Sequence, residues 1–263
     1  MGILRLKPGV ELYYRLIPGQ PHRPYLVFLH EGLGSTAMWK SFPEMLCRRT
    51  GCPGLLYDRL GYGRSTGLIR PRRINYLHEY ALIELPEVIA ALIPGCRFFL
   101  IGHSDGGSIS LIYASQQPAQ QPAQQPDGLV GIISEAAHVF VDTQTLRGIQ
   151  DTVLEFDKGK LNGLHKYHGE MTVEVFKAWY QTWLSDWFRH WNIQYLLPSI
   201  ICPTLVLQGL DDPYGTIDQV ETIVTQVTGP CRKALIPNCG HAPHREQNER
   251  VGDLMSEFIM QLI

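Results

Sequence analysis

Residues 102–106 (Gly-His-Ser-Asp-Gly) are the part of the sequence whose types and spacing point most directly to chemistry. They have the pattern Gly-x-Ser-x-Gly, follow an apolar run at residues 97–101 and precede a run at 108–114 that suits a helix. At such a strand–turn–helix junction a serine can sit on a strained turn with its hydroxyl exposed, and the glycines let backbone segments approach where a Cβ would clash. The pattern predicts that Ser104 is a nucleophile.

A serine nucleophile needs a base that accepts its proton and an acid that orients the base. His241 directly follows the last predicted strand, which places it on a loop at the carboxyl edge of the sheet, where Ser104 also emerges. The acid is expected after the preceding strand, where Asp211 and Asp212 are adjacent. Glu135, after the sixth strand, is an alternative that ranks below them.

The chain resembles the α/β-hydrolases with a helical cap over nearly its whole length. The order Ser104…Asp212…His241 is the nucleophile–acid–base order of that family. Residues 29–35 (Leu-His-Glu-Gly-Leu-Gly-Ser) resemble the family's His-Gly loop after the third strand. Residues 57–65 resemble its Asp-x-x-Gly-x-Gly-x-Ser turn after the fourth strand, which is expected to be structural.

The resemblance also implies roles for individual residues. Family spacing from the glycine that ends the preceding strand favours Asp212 over Asp211 as the acid. The oxyanion hole is implied to consist of the backbone N–H of Asp105 and a second N–H from the His-Gly loop. That second donor is Gly32 or Leu33, because Glu31 stands where the family usually has glycine.

Asp105 is unusual beside a nucleophile, because its charge opposes an oxyanion. Some family members with Ser-Asp at this position hold a substrate ammonium with the aspartate, so Asp105 is a candidate for recognising a cationic or polar group. The alternative is a side chain turned away and bonded to the backbone. Glu31, Trp179 and Trp183 are further candidates for substrate contact.

The function implied by the resemblance is hydrolysis of a small carboxylic ester through an acyl-enzyme, with no cofactor. The expected partner is a small-molecule ester-like substrate, and the expected state is a monomer or a homodimer. Two alternatives stay open: a C–C bond hydrolase of ring-cleavage products, and a slow-turnover small-molecule receptor or regulatory protein.

Other histidines near the motif do not indicate a metal. His103 is expected to pack against the turn. His244 lies three residues after His241, and no third ligand stands at a suitable spacing, so no metal site is predicted.

The composition excludes several classes of protein. The 263 residues are 44% hydrophobic and 18% charged with a formal net charge of −2, which is typical of a globular protein and argues against nucleic acid as a partner. No apolar stretch is long enough to cross a bilayer, so no membrane partner is expected. The six cysteines are scattered and the N-terminus lacks signal-peptide features, which predicts reduced thiols in a cytoplasm.

Apolar runs and helical patterns alternate along the chain, which indicates an α/β fold with a mainly parallel sheet covered on both faces. The family resemblance makes it an eight-stranded sheet. The predicted strands are residues 10–17, 25–30, 54–57, 98–101, 129–134, 204–208 and 234–236. The predicted helices are 37–47, 74–93, 108–115, 217–227 and 249–262, and Pro86 should kink or break the second.

Two segments interrupt the alternation. Residues 116–127 repeat Pro-Ala-Gln-Gln, which predicts an extended or mobile surface loop. Residues 138–199 have helical periodicity at 145–156 and 172–187, and are predicted to be a helical cap between strands 6 and 7, so that the core comprises residues 1–137 and 200–263. Four tryptophans recur there every fourth residue, which places them on one face of a predicted helix: Trp179, Trp183, Trp187 and Trp191. Most of the four are expected to anchor the cap to the core.

Overall fold

A computed structural model describes residues 1–117 and 128–263. Its eight strands are β1 (Gly2–Lys7), β2 (Val10–Ile17), β3 (Tyr25–Leu29), β4 (Gly54–Tyr57), β5 (Arg97–His103), β6 (Gly128–Glu135), β7 (Thr204–Gly209) and β8 (Cys231–Ile236). They form one sheet in the order β1-β2-β4-β3-β5-β6-β7-β8. The pairs β1–β2 and β2–β4 are antiparallel and the other five are parallel. The predicted eight-stranded, mainly parallel sheet is confirmed.

The central strands are buried on both faces, which explains their continuous apolar sequences. In β3, Val27 and Leu29 belong to one core cluster, whereas Leu26 and Phe28 belong to a second cluster on the other face. The strand β1 was not among the predicted strands. Its burial alternates between half-buried and exposed residues at the edge of the sheet, and so short an alternation is a weak signal.

Most of the helices lie between strands, and the last two follow β8. They are α1 (Phe42–Thr50), α2 (Tyr76–Glu79), α3 (Leu85–Leu92), α4 (Asp105–Ser115), α5 (Thr143–Asp157), α6 (His165–His168), α7 (Thr172–Trp183), α8 (Ile217–Gln226), α9 (Pro243–Glu246) and α10 (Asn248–Met260). The predicted helix at 74–93 is interrupted by a π-helical turn, Tyr80–Glu84, between α2 and α3. Pro86 follows this turn and has no N–H to continue an α-helical ladder, so the predicted break is confirmed.

The chain between β6 and β7 holds α5, α6 and α7 together with short 3₁₀ turns. The predicted helix at 172–187 is shorter than expected, because α7 ends at Trp183. The Ser185 hydroxyl donates to the carbonyl of Thr182, and the chain turns away there. The prediction of four tryptophans on one helix face is therefore wrong beyond Trp183: Trp187 is 47% exposed, and Trp191 is buried in a separate turn.

Three further expectations concern the chain as a whole. Most of the Pro-Ala-Gln-Gln repeat, residues 118–127, lies outside the described residues. All six cysteines lie within them, and none forms a disulfide. No helix of the described chain combines the length and apolar character that a bilayer-spanning helix needs.

Candidate active site

The Gly-x-Ser-x-Gly segment forms the sharp turn between β5 and α4. Ser104 has φ 54° and ψ −118°, a conformation that is strained for a residue with a side chain. A Cβ on Gly102 would lie 2.1 Å from the carbonyl oxygen of Gly106, and one on Gly106 would lie 2.0 Å from that of Leu29. The Ser104 N–H donates to the Glu135 carbonyl over 2.8 Å. Both glycines are therefore required by close backbone approach.

Ser104, His241 and Asp212 come together at the carboxyl edge of the sheet. The Ser104 hydroxyl oxygen lies 3.0 Å from Nε2 of His241. Nδ1 of His241 lies 2.9 Å from both carboxylate oxygens of Asp212. A carboxylate only accepts, so Nδ1–H donates to Asp212 and Nε2 is free to accept the serine proton. The arrangement is that of a nucleophile, a base and an orienting acid.

Asp212, not its neighbour, faces the histidine. Its side chain is buried, and Oδ1 also accepts the N–H of Tyr214 over 2.8 Å. Burial raises the pKa of Asp212, but the facing His241 and the hydrogen bonds outweigh burial and leave the pKa below its ordinary value. Asp211 is exposed. Asp212 therefore stays ionised and holds the imidazole in one tautomer.

Glu135, the lower-ranked candidate for the acid, contacts His244 and not His241. Its carboxylate accepts the backbone N–H of His244 over 2.6 Å and lies 2.8 Å from Nδ1 of the same residue. Both side chains are almost fully buried. Within the described residues no group of three or more His, Cys, Asp or Glu side chains could hold a metal ion.

The loop after β3, residues 30–35, is the candidate oxyanion loop. Gly32 and Leu33 both line the cavity beside Ser104, together with Asp105. The buried Arg59 guanidinium fixes the start of this loop by donating to the carbonyl of His30 and, over 3.0 Å, to that of Glu31. The turn at residues 57–65 thus orients the oxyanion loop through the hydrogen bonds of Arg59.

His168 fixes the other end of the oxyanion loop from the segment between β6 and β7. Its Nδ1 accepts the N–H of Gly63 over 3.0 Å, so its Nε2 carries the hydrogen that is donated to the Leu33 carbonyl over 2.9 Å. Burial lowers the pKa of His168, which favours the neutral ring that these two bonds require. The sequence contained no signal for this role, because the partners are distant along the chain.

A cavity opens at Ser104 and encloses about 530 Å³ of space between atoms, part of it open to solvent. Its walls are mostly apolar. Trp179 and Trp183 lie in the wall, and their contact with a substrate stays a prediction. The lining residues are Glu31, Gly32, Leu33, Ser104, Asp105, His138, Thr145, Ile149, Trp179, Trp183, Tyr214 and His241.

Asp105 lies in the cavity wall and is not turned toward the backbone. Its Oδ2 accepts the hydroxyl of Tyr76 over 3.0 Å, and that hydroxyl oxygen accepts Nε1–H of Trp183 over 3.1 Å. Within the described residues Oδ1 makes no hydrogen bond. One carboxylate oxygen is therefore held in place, and the other remains available as an acceptor in the wall.

Sequence comparison places the chain among known proteins. A family profile described as the Alpha/beta hydrolase family matches residues 26–254. A 2-succinyl-6-hydroxy-2,4-cyclohexadiene-1-carboxylate synthase of Enterobacter sp. (strain 638) is 24% identical over 266 residues, covering 92% of this chain and 93% of that protein. A protein of the same name from Salmonella paratyphi B is 27% identical, covering 94% of this chain and 98% of its own.

Solved structures share the fold. The proline iminopeptidase of Mycobacterium smegmatis superimposes with a TM-score of 0.73 at 20% identity, over 99% of this chain and 97% of that one. The enol-lactonase of Burkholderia xenovorans LB400 has a TM-score of 0.71 at 18% identity, over 95% and 97% of the two chains. At these identities the likeness concerns the fold alone.

Proposed function

The chain belongs to the alpha/beta hydrolase family, and from that premise we propose that it is a serine hydrolase that cleaves small carboxylic esters through an acyl-enzyme. The observation that carries the proposal is the hydrogen-bonded series Ser104, His241 and Asp212 at the floor of a mostly apolar cavity. Neither step of the reaction requires a cofactor.

In the acylation step, the Ser104 oxygen attacks the ester carbonyl carbon while its proton passes to Nε2 of His241. The carbonyl electron pair moves onto oxygen, where the N–H of Asp105 and that of Gly32 or Leu33 stabilise the charge. Losing one such donor typically raises the barrier by about 3 kcal/mol. The intermediate then collapses, and the leaving alkoxide takes the proton from His241.

In the deacylation step, water attacks the acyl-serine carbonyl carbon and gives a proton to His241. Collapse of the second intermediate breaks the bond to Ser104, which recovers the proton, and releases the carboxylic acid. Asp212 stays ionised throughout, because its role is to hold the imidazole and to stabilise the imidazolium.

The cavity supports a small substrate. Residues 138–199, which we propose act as a cap between core segments 1–137 and 200–263, place Trp179 and Trp183 over the cavity that contains Ser104. Its space of about 530 Å³ includes a part that is open to solvent, and its mostly apolar lining suits the acyl group of a small ester. These aromatic side chains narrow the cavity and limit the length of the acyl group.

The charges of the cavity argue against a polycarboxylate substrate. Its lining includes the carboxylates of Glu31 and Asp105, and no Lys or Arg side chain of the described chain lines it. The printed name of the curated relatives describes a product with a succinyl group and a ring carboxylate. Carboxylates are bound most strongly by Arg or Lys, and neither type lines this cavity in the described part of the chain. We therefore favour an ester hydrolase over that synthase reaction.

The position of Asp105 indicates which class of acyl group the site accepts. The Oδ1 atom of Asp105 makes no hydrogen bond within the described chain and is an acceptor for a substrate ammonium group near the ester carbonyl, although the buried Arg59 and Arg72 guanidiniums also lie within electrostatic range of this carboxylate. Tyr76 and Trp183 hold the carboxylate in position, so it does not have to reorganise when the substrate binds. An ester of an amino acid is the substrate class that combines these features.

The proposed function is tested by steady-state hydrolysis of p-nitrophenyl acetate, butyrate and octanoate. We expect multiple turnovers with the wild-type protein and a preference for the shorter esters. Replacing Ser104 by alanine should lower kcat by roughly a millionfold, as for other serine triads. The matched control is Ser110→Ala, because the Ser110 hydroxyl bonds only within its own helix, to the Gly106 carbonyl.

Turnover that persists in Ser104→Ala would refute the acyl-enzyme. No turnover in the wild type, together with a ligand-induced thermal shift, would favour the receptor alternative instead.

A further inference from the structure

His103 stands next to the proposed nucleophile but does not contact the cavity. Its side chain is 3% exposed, and Nε2 lies 2.7 Å from the carbonyl oxygen of His241. Nδ1 lies 3.5 Å from Oε2 of Glu31, a distance within the range of an ion pair. A carbonyl only accepts, so Nε2 carries a hydrogen, and a Nδ1 that faces a carboxylate is attracted to it only when it also carries one. Nδ1 makes no hydrogen bond within the described chain, so an imidazolium at this position is held to Glu31 by charge at an ion-pair distance and not by a hydrogen bond.

The charged groups around His103 favour this state. Two carboxylates face it: Glu31 on the oxyanion loop and Glu135 at the end of β6. The ring of His241 lies 5.1 Å away, and that of His244, which bonds to Glu135, lies 5.0 Å away. Burial lowers the pKa of His103, but Glu31 and Glu135 outweigh burial and raise the pKa to about 9.

Glu31 is itself held rigidly. Its backbone carbonyl accepts the N–H of Gly34 over 3.0 Å and a guanidinium N–H of Arg59, also over 3.0 Å. Its carboxylate fills the space at Gly34, where a Cβ would lie 2.3 Å from Oε2. Burial raises the pKa of Glu31, but the His103 partner outweighs burial and holds the pKa well below its ordinary range. Glu31 is therefore an ionised, fixed part of the oxyanion loop.

We propose that His103 is a positioning residue, which as an imidazolium bridges the Glu31 carboxylate and the His241 carbonyl and thereby sets the distance between the oxyanion loop and the base. The bridge explains why glutamate stands where glycine is usual. This inference rests on the proposed function for its kinetic effect, whereas the charge of His103 can be measured independently of turnover.

The bridge has a defined pH window. The folded-state pKa of His103, about 9, is above the ordinary value of 6.5, so the stabilisation is complete below about pH 6.5 and is lost as the pH rises through about 9. Above that pH the neutral ring loses its attraction to Glu31, and the oxyanion loop and His241 are no longer held together.

The kinetic test is Glu31→Gln, which keeps the side-chain size and removes the charge. The best p-nitrophenyl ester is assayed from pH 6 to 10, with Ser104→Ala as the blank. We expect kcat at pH 8.5 to fall roughly ten- to a hundredfold while KM changes little, since misplacement affects the reaction more than binding. The decline at alkaline pH should also shift to lower pH. Glu249→Gln, which removes an exposed ion-pair partner of Arg49, is the control.

The charge is tested by ¹⁵N-histidine NMR of the wild-type protein, which does not depend on any variant folding. One imidazole should remain protonated up to about pH 9, and its signal should be absent from a His103→Gln spectrum. Parallel kcat–pH profiles for wild type and Glu31→Gln would overturn the proposal, as would the absence of any imidazole protonated above pH 8. If the wild type shows no turnover dependent on Ser104, the proposed function fails while the NMR measurement still tests the bridge.

Discussion

Asp105 places a carboxylate directly beside the proposed nucleophile. One of its oxygens is bonded to Tyr76, and the other is without a hydrogen bond within the described chain. A negative charge at this position opposes the oxyanion unless a cation accompanies it. The buried Arg59 and Arg72 guanidiniums offset part of that charge, and a substrate ammonium would offset it further, so the carboxylate favours an aminoacyl ester over a plain acyl ester.

This role predicts a change in substrate preference for Asp105→Asn. The matched substrates are ethyl valinate and ethyl 3-methylbutanoate, which differ only in the amino group. We expect kcat/KM for the valinate to fall about 10- to 150-fold, because a hydrogen bond to a charged group is worth about 1.5–3 kcal/mol. The value for the 3-methylbutanoate should stay the same or rise, because that ester loses no ion pair and its oxyanion no longer faces a carboxylate.

Asp211→Asn is the control for the same substitution at an exposed position next to the site. It should leave both esters unchanged. An equal loss on both esters in Asp105→Asn would mean that the residue is structural, and no loss on either would remove the ammonium hypothesis.

At the scale of elements, α6 is connected to the oxyanion loop through one side chain. His168, the last residue of α6, bonds to the Gly63 N–H and to the Leu33 carbonyl. The adjoining α7 carries Trp179 and Trp183 into the cavity wall. The position of the helical segment and the conformation of the oxyanion loop are therefore coupled.

The coupling predicts that His168→Ala lowers activity without removing any group from the cavity. Each unmade buried bond costs about 1–3 kcal/mol, so an effect on the reaction equal to one of the two bonds reduces kcat/KM about 5- to 150-fold. Initial rates with p-nitrophenyl butyrate measure the effect, and thermal unfolding verifies that the variant is folded. His165→Ala, one turn earlier and exposed, should match the wild type; equal rates for the two variants would contradict the coupling.

At the scale of the whole molecule, the last two parallel strands bring the acid and the base together. Asp212 follows β7 and His241 follows β8, and these strands pair from Thr204 to Gly209. A Cβ on Gly209 would lie 2.1 Å from the carbonyl oxygen of Gly240. The two loops can therefore approach only because β7 ends in glycine.

Gly209→Ala is expected to destabilise the protein and to separate the acid from the base. Overpacking of this kind costs about 1–3 kcal/mol, which lowers Tm by about 2–4 °C per kcal/mol in a chain of this size. Differential scanning fluorimetry measures the shift. Gly163→Ala is the control, because a Cβ there meets nothing within 4 Å. Equal Tm values for the two variants would show that the β7 end tolerates a side chain.

The sequence alone was sufficient for the features that depend on local pattern. Seven of the eight strands could be predicted; the five central strands β3 to β7 are almost continuously buried, which demands continuous apolar residues. Ser104, His241 and an aspartate after β7 could be placed on one edge, because parallel strands end together. Two features could not be predicted, because neither has a strong local signal: the weakly alternating strand β1 and the end of α7 at Trp183.

Only the tertiary structure decided which side chains meet. The family resemblance favoured Asp212 over Asp211 by spacing, but only the path of the loop shows that Asp212 is buried against His241 and that Asp211 is exposed. The bonds from His168 to Leu33 and from His103 to His241 join residues 135 and 138 positions apart. Such contacts follow from the packing of complete elements, and no local periodicity of the chain encodes them.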